Sequence, residues 1–306
     1  MAYYLKGKNL DFSTGGHSVV MLNEEEAENY GIHPGDRVSL IWSKGKRMVA
    51  SVDVSDKKVK SGEVGLFEEV WQKKKIDEGS IVEVKLESRP LSVETIKKKL
   101  LGQTATYEEF HALIKDIADN RLSDTLITYY AASGFVKPFS DKEMYFLSKA
   151  MAETGEMFNM RIKVADKHSV GGLAGNRMTP IIVSIIASLG IYIPKTSSRA
   201  ITSPAGTADT MEVLCPVSFP MDDIKKIVKK THGCLVWGGG VRMAPADDKI
   251  IKVNRPLAVE SYDKMIVSIM AKKVATGVDY LLLDIPVGES CKVPNMKDAK
   301  YIEKKF

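Results

Sequence analysis

The stretch that decides the fold covers residues 162–172 and reads Ile162-Lys163-Val164-Ala165-Asp166-Lys167-His168-Ser169-Val170-Gly171-Gly172. Its apolar start predicts a strand at 162–164, and its polar, glycine-ended remainder predicts a loop. An apolar helix over 179–189 and a strand at 191–193 follow. Further apolar strands are predicted at 235–237 and 280–285. Strands that alternate with helices in this way are typical of a mostly parallel α/β sheet.

The chain before this stretch has two other patterns. Residues 1–88 contain short strand-like runs at 38–42, 48–52 and 81–84, separated by glycine-containing turns, with one helix at 24–30. This spacing favours a small barrel or sandwich. From residue 91 the apolar period becomes helical, and Thr106 with Glu109, like Ser140 with Glu143, has the spacing of a capping box. A helix predicted at 122–132 should be ended by Gly134 with Pro138. We therefore expect a multidomain α/β protein with a β-rich, barrel-like N-terminal domain and a small helical domain.

Composition excludes several classes of protein. The chain has 306 residues, a formal net charge of +5, 44% hydrophobic residues and 27% charged residues. That apolar content is too high for a disordered chain. The modest positive charge, mixed with acidic residues, argues against nucleic-acid binding and suits a protein that handles small anions.

The cysteines and the apolar runs indicate the compartment. Three cysteines without a CxxC pair make neither a disulfide framework nor a zinc site, so we expect no metal and reduced thiols. The N-terminus lacks the apolar core of a signal peptide. The longest apolar run, 181–189, is about half of the ~20 residues that span a membrane. We expect a soluble, cytoplasmic protein without a membrane partner.

Two polar loops are the strongest functional signals. In the first, Lys167 and Ser169 precede paired glycines and a helix, an arrangement that suits a phosphate but matches neither a Walker loop nor a GxGxxG loop. The second loop, 196–207, contains six hydroxyl residues and Arg199. Because both follow strands, they should meet at one edge of the sheet and bind an oxyanion there. Farther along, Ser268 and Lys272 lie four apart on one helix face.

These segments resemble the thymidine/pyrimidine-nucleoside phosphorylase family, and most closely its archaeal-type AMP phosphorylases. The resemblance covers essentially the whole chain, including a β-rich N-terminal domain. It rests on KHSVGG at 167–172, PKTSSRAIT at 194–202, AGTADTME at 205–212, APAD at 244–247, MAKK at 270–273 and AMAETGE at 150–156.

The resemblance implies a fold and a reaction. The fold would be that of the class II nucleoside phosphorylases, with domains at 1–88, at 89–158 plus about 246–278, and at 159–245 plus 279–306. The reaction would be phosphorolysis of nucleoside 5′-monophosphates, in which AMP and phosphate give adenine and ribose 1,5-bisphosphate, with CMP and UMP as possible substrates. Neither cofactor nor metal is implied, and the protein would be a homo-oligomer, a dimer or larger.

The resemblance also assigns site residues by position. Phosphate would be bound by Lys167, Ser169, Ser197 and Thr207, and Lys272 would contact the base. The proton donor falls at Glu260, with Asp263 as the alternative. The positions that would contact the nucleotide are Gly172, Ser198, Arg199, Ala200, Ile201, Thr202, Ser203, Thr207, Ser268 and Lys292.

Two departures from the family pattern keep other interpretations open. Glu260 stands where the family has an aspartate, and family members continue well beyond Lys292, so the α/β domain looks incomplete. The alternatives are a pyrimidine-nucleoside phosphorylase for thymidine or uridine, an enzyme like anthranilate phosphoribosyltransferase, and a truncated nucleotide-binding fragment with little turnover.

Overall fold

The fold is seen in a computed structural model, which describes residues 2–15, 18–43, 45–88, 90–171, 178–199, 205–254, 256 and 261–306. The chain forms two compact units. One contains Met1–Val93 and Asp119–Leu126, and the other contains Glu94–Ala118 and Ile127–Phe306.

The first unit is built on a closed six-stranded barrel. Its strands are β1 (Ala2–Asn9), β2 (Val19–Leu22), β3 (Arg37–Trp42), β4 (Lys46–Val54), β5 (Glu63–Leu66) and β6 (Ile81–Leu86), in the order β1-β5-β2-β4-β3-β6. Two short helices, α1 (Glu24–Tyr30) and α2 (Glu68–Lys74), complete it. Alternate strand residues such as Val20, Leu40 and Val84 are fully buried inside the barrel. The predicted barrel-like domain is therefore confirmed, and the predicted strands lie within β3, β4 and β6.

Helices dominate the next part of the chain, where the bounds are α3 (Ser92–Leu100), α4 (Tyr107–Ala118), α5 (Asp124–Val136) and α6 (Asp141–Glu153). The capping box at the start of α6 is confirmed, since the Ser140 side chain accepts from the Glu143 N–H and Glu143 accepts from the Ser140 N–H. Helix α6 packs against α4 and against a later helix, α11 (Tyr262–Thr276). Helix α10 (Pro245–Asn254) also packs on α4.

The helix end predicted at Gly134 with Pro138 is close to the observed end, although α5 continues past Gly134 to Val136. A Cβ at Gly134 would lie 2.9 Å from the Lys264 side chain and 3.1 Å from the Phe139 ring. The glycine serves close packing inside the helix, which a local sequence pattern does not distinguish from a helix stop.

The α/β part contains four parallel strands in two hydrogen-bonded pairs. These are β7 (Ala165–Ser169) with β10 (Tyr280–Asp284), and β8 (Ile193–Ser197) with β9 (Gly233–Trp237). A parallel bridge between Val164 and Tyr192 joins β7 to β8 at their amino ends. The remaining helices are α7 (Met178–Ser188), α8 (Thr207–Glu212), α9 (Met221–Thr231) and α12 (Met296–Lys305). The predicted parallel α/β architecture is confirmed.

One strand is displaced from its predicted position in a way that matters for the site. The sequence predicts a strand at 162–164 and a loop at Lys167–Ser169, whereas these polar residues form the strand β7 itself. These polar residues can form a buried strand because Lys167 pairs with Asp284 and Asp166 pairs with Lys273. No helix within the described ranges is long and apolar enough to cross a membrane.

Candidate functional site

Lys167 lies at the centre of the site, on β7, with only 1% of its surface exposed. Its Nζ donates to Asp284 Oδ2 at 2.9 Å and to Thr179 Oγ1 at 3.3 Å. Asp284 is the last residue of β10 and pairs in register with Ser169, the last residue of β7. An ammonium group has three N–H donors, and described residues accept two of them. The third has no acceptor among the described residues.

Two polar atoms beside Lys167 are buried without a partner among the described residues. They are Ser169 Oγ and His168 Nδ1. Burial and the positive charges of Lys273, Lys195, Lys272 and Lys167 hold the pKa of His168 well below its ordinary value, so the imidazole is neutral near neutral pH. Lys167 and Ser169 are two residues apart on β7 and so lie on the same face of the strand, where a cation and a hydroxyl without a partner among the described residues suit an oxyanion.

A second polar group lies on helix α11. Ser268 Oγ donates to Asp247 Oδ2 at 2.7 Å, and Lys272 Nζ donates to the same oxygen at 2.5 Å. Lys272 also lies 3.2 Å from Ser268 Oγ, as expected for two residues four apart on a helix. Asp247, on α10, is 3% exposed. The buried carboxylate therefore fixes both predicted substrate-contacting side chains in one orientation.

Beneath these groups lies a buried ionic cluster centred on Asp166, the β7 residue before Lys167. Lys273 of α11 donates to Asp166 Oδ2, and Lys195 Nζ of β8 lies 3.5 Å from Asp166 Oδ1. Asp166 Oδ1 also accepts the backbone N–H of Lys167 at 2.7 Å. All three side chains are at most 5% exposed. The cluster joins β7, β8 and α11.

The second predicted loop begins at Ser197, which ends β8 and donates to the Ser198 carbonyl at 3.2 Å. The loop returns close to itself at Gly206, where a Cβ would lie 2.4 Å from the Ser198 carbonyl oxygen. Only glycine allows this approach. Thr207 follows as the first residue of α8.

Arg199 is held differently from the expectation that it faces a phosphate. Its guanidinium donates to Asp209 at 3.1 Å and to both carboxylate oxygens of Glu212, at 2.5 Å and 2.8 Å. The group also stacks over the Trp237 ring at 4.8 Å. Glu212 and Asp209 raise the pKa of Arg199 above its ordinary value. Both acidic residues lie on α8. In this structure Arg199 therefore joins the residue after β8 to helix α8.

Asp263, the alternative proton donor, is engaged elsewhere. It is 5% exposed, and its carboxylate accepts from the Phe139 N–H at 3.0 Å and from the Tyr301 hydroxyl at 3.3 Å. These contacts give Asp263 a packing role at the start of α11. Lys292 is half-buried in the segment between β10 and α12. The predicted residues that lie outside the described ranges are Gly172, Ala200, Ile201, Thr202, Ser203 and Glu260.

Several residues of the site were missed at the level of sequence. Asp284 had a usable signal, since it is an acidic residue at the carboxyl end of an apolar strand, where ligand-binding residues of α/β sheets collect. Asp247 lies in the APAD segment that was singled out without a role. Lys195, Lys273 and Asp166 also lie in segments singled out in the sequence, but their association could not be predicted, because only the tertiary fold brings them together.

The arrangement can bind an anion and orient a second polar ligand beside it. In the described part of the chain, no group of three histidine, cysteine, aspartate or glutamate residues could hold a metal ion. An apolar groove of about 860 Å³ lies nearer the amino ends of β7 and β10, lined by residues such as Ile182, Ile186 and Tyr192. Asp166 and Lys167 also line it, but most of its exposed surface is apolar, so it is less suited to a phosphate than the carboxyl edge.

Comparison with known proteins agrees with this architecture. Residues 93–155 match the helical bundle domain of the glycosyl transferase family, and residues 161–305 match the a/b domain of the same family. A crystal structure of anthranilate phosphoribosyltransferase from Thermus thermophilus has a similar fold. It superposes with a TM-score of 0.55 and 19% sequence identity over 62% of this chain and 57% of that chain.

Curated relatives are similar over nearly the whole chain. An AMP phosphorylase from Methanocella arvoryzae is 40% identical over 304 residues, which are 99% of this chain and 60% of that protein. AMP phosphorylases from Natronomonas pharaonis and Thermococcus sibiricus are 43% and 41% identical over 94% and 98% of this chain. The chain spans about 60% of the length of the Methanocella relative.

Proposed function

Because the chain belongs to the glycosyl transferase family with these helical bundle and a/b domains, we propose that it is a pentosyltransferase that cleaves nucleoside 5′-monophosphates with phosphate. The proposed reaction converts AMP and inorganic phosphate into adenine and ribose 1,5-bisphosphate. Its main structural support is the buried Lys167 on the same strand as the Ser169 hydroxyl, which has no partner among the described residues. Relatives with nearly full coverage of this chain are named AMP phosphorylases.

The phosphate would act as the nucleophile and must be held in line with the anomeric carbon. Lys167 supplies positive charge, and Ser169, Ser197 and Thr207 supply hydroxyl donors at the ends of two neighbouring strands and at the start of α8. Fixing the phosphate before reaction removes much of the entropic cost of bringing two reactants together. Desolvation by the buried surroundings strengthens the same interactions.

The nucleotide would lie against helix α11. Ser268 and Lys272 are oriented by Asp247, so their positions are set before the substrate binds. Lys272 would contact the base, and Ser268 and Lys292 would contact the nucleotide. The loop at 198–203 would bind the rest of the nucleotide, with Arg199 holding that loop through Glu212.

The departing base needs a proton as the bond to the ribose breaks, because the transition state resembles an oxocarbenium ion and the base leaves with negative charge. We assign this proton to Glu260, which lies outside the described residues. The engagement of Asp263 with Phe139 and Tyr301 supports this choice over the alternative.

We extend the proposal to the organisation of the protein. The helical domain would comprise 89–158 and about 246–278, which agrees with the packing of α10 on α4 and of α11 on α6. The barrel domain would comprise 1–88, and the phosphate-binding domain 159–245 and 279–306. The protein would act in the cytoplasm as a homo-oligomer, without nucleic acid.

Product analysis with matched substrates tests the function. The chain is incubated with phosphate and, separately, AMP, CMP, UMP, adenosine, uridine or thymidine, and the released base and sugar phosphate are quantified. We expect phosphate-dependent base release from AMP to exceed that from adenosine by at least about tenfold, since binding of the 5′-phosphate contributes charge-assisted hydrogen bonds. Equal turnover of AMP and adenosine would refute the nucleotide specificity. Exclusive turnover of thymidine or uridine would support the pyrimidine-nucleoside alternative instead.

A further inference from the structure

The buried carboxylate of Asp166 accepts two hydrogen bonds and forms one ion pair, with groups on β7, α11 and β8. Its Oδ2 accepts from Lys273, and its Oδ1 accepts the Lys167 backbone N–H at 2.7 Å and lies 3.5 Å from Lys195 Nζ. The Asp166 side chain has no solvent exposure. A carboxylate buried this completely is stable only if its charge is compensated in place.

Each element that meets at Asp166 also carries proposed substrate-binding residues. Strand β7 carries Lys167 and Ser169, and β8 carries Ser197 two residues beyond Lys195. Helix α11 carries Ser268 and Lys272, the latter immediately before Lys273. The cluster therefore sets the distance between the phosphate donors and the nucleotide-contacting helix without facing the substrate itself.

The cluster contains more positive than negative charge, because two lysines share one carboxylate. Lys167 and Lys272, on neighbouring elements, are paired with Asp284 and Asp247. Among the described residues, the other groups near Lys195 do not supply the missing negative charge, and Lys167 adds further repulsion. His168 of β7 is neutral, and burial raises the pKa of the Cys234 thiol of β9 to about 12, so neither carries a negative charge near neutral pH. Helix α7 has no charged residue, and the buried residues of α9 are the apolar Ile224 and Val228.

This imbalance falls on Lys195. Burial and repulsion by Lys273 lower the pKa of Lys195 to about 7, although Asp166 acts in the opposite direction. Near neutral pH the unliganded protein therefore contains both the ammonium and the amine form of this side chain. A phosphate dianion bound at the ends of β7 and β8 would bring the missing negative charge close to it, which favours the ammonium form.

We propose that Lys195 is a positioning residue that acts through Asp166 to hold β7, β8 and α11 together around the phosphate site, and that it takes up a proton from solvent when an anionic substrate binds. The inference rests on the proposed phosphate site and adds a proton-linked step to it. The proton comes from the buffer, whose conjugate base is left behind, and no bond of the substrate changes.

Calorimetric titration with inorganic phosphate measures this uptake. The full chain is titrated at about pH 8 in two buffers of equal ionic strength but different enthalpy of ionisation, so that the difference in heat gives the protons exchanged. Lys195→Met removes the titrating group, and Lys195→Arg keeps a permanent charge. Lys229→Met, an exposed lysine on α9, is the matched control. Thermal unfolding checks that each variant is folded.

The wild type and Lys229→Met should take up a substantial fraction of one proton for each phosphate bound. Both Lys195 variants should lose that uptake. Lys195→Met should also weaken phosphate binding by about tenfold, and Lys195→Arg by less, since a cation remains beside Asp166.

The outcomes separate the two proposals. Uptake that persists unchanged in folded Lys195→Arg overturns the inference and leaves the proposed function intact. Wild-type protein that binds no phosphate overturns the proposed function, and the inference with it. If Lys195→Met does not fold, the comparison of wild type with Lys195→Arg decides the question.

Discussion

Replacement of Lys167 and of its partner Asp284 should have opposite effects on phosphate binding. Lys167 is 1% exposed and donates to Asp284 at 2.9 Å, whereas the Asp284 side chain is 30% exposed. In Lys167→Met the cation that would bind phosphate is lost. In Asp284→Asn the cation remains and a carboxylate that competes with phosphate is removed.

The magnitude follows from the type of bond. A hydrogen bond to a charged group contributes about 1.5–3 kcal/mol. Since 1.4 kcal/mol corresponds to a factor of ten, Lys167→Met should weaken phosphate binding by about 10- to 150-fold. Asp284→Asn should leave the affinity unchanged or increase it, and should lower the free energy of unfolding, because Lys167 then remains buried without its counter-charge.

Isothermal titration with inorganic phosphate measures both affinities, and chemical unfolding measures both stabilities. Lys163→Met is the control, because Lys163 is exposed near the amino end of the same strand. Equal affinity for phosphate in Lys167→Met and wild type would refute the assignment of Lys167. A strong loss of affinity in Asp284→Asn, with stability retained, would show that Asp284 helps phosphate to bind. It would contradict the expectation that the Asp284 carboxylate competes with phosphate for Lys167.

Three further predictions follow from the same contacts. Asp247→Asn should raise the KM for nucleotide several-fold by releasing Lys272, as checked by steady-state kinetics; an unchanged KM would count against that role. Because the pKa of Lys195 in the folded protein is lowered to about 7, the unfolded chain holds the extra proton between pH 7 and its ordinary 10.5. The free energy of unfolding should therefore rise with pH across this window, and less so in Lys195→Met, as measured by urea unfolding at several pH values. Arg199→Lys should break the two hydrogen bonds to Glu212 and so speed hydrogen exchange in α8. It should weaken phosphate binding less than Lys167→Met does. A larger loss of affinity in Arg199→Lys than in Lys167→Met would indicate that Arg199 binds phosphate directly.

Local sequence patterns predicted those parts of the fold that depend on local forces. The capping box at Ser140 and Glu143 defines the start of α6 because both hydrogen bonds lie within one turn. The strands β3, β4 and β6 were visible as apolar runs between turns. In contrast, β1 was not identified, because its partners β5 and β6 are more than fifty residues away along the chain.

Strand β7 shows why polar strands are missed. Its sequence, Ala165-Asp166-Lys167-His168-Ser169, has the composition of a loop, and propensity disfavours aspartate and lysine in strands. The strand forms because Asp166 and Lys167 each find a buried counter-charge from a distant element. Tertiary ion pairing here overrides the local preference.

In the candidate site, too, the features set by strand direction could be predicted, whereas those set by tertiary contacts could not. The prediction that the two loops meet at one edge of the sheet rests on the direction of the parallel strands, which determines where they end. The acidic partners were not predictable in this way. Glu212 binds Arg199, and Asp284 binds Lys167, through contacts that depend on side-chain positions in the folded protein.

The central claim is that inorganic phosphate attacks the ribose of a nucleoside monophosphate in this protein. Incubation with AMP and isotopically labelled phosphate, followed by separation of the products, tests it most directly. Equal amounts of adenine and ribose 1,5-bisphosphate should form, with the label only in the phosphate on C1, and neither should form without added phosphate. Adenine release that does not depend on phosphate, or label that is absent from the sugar product, would contradict the account.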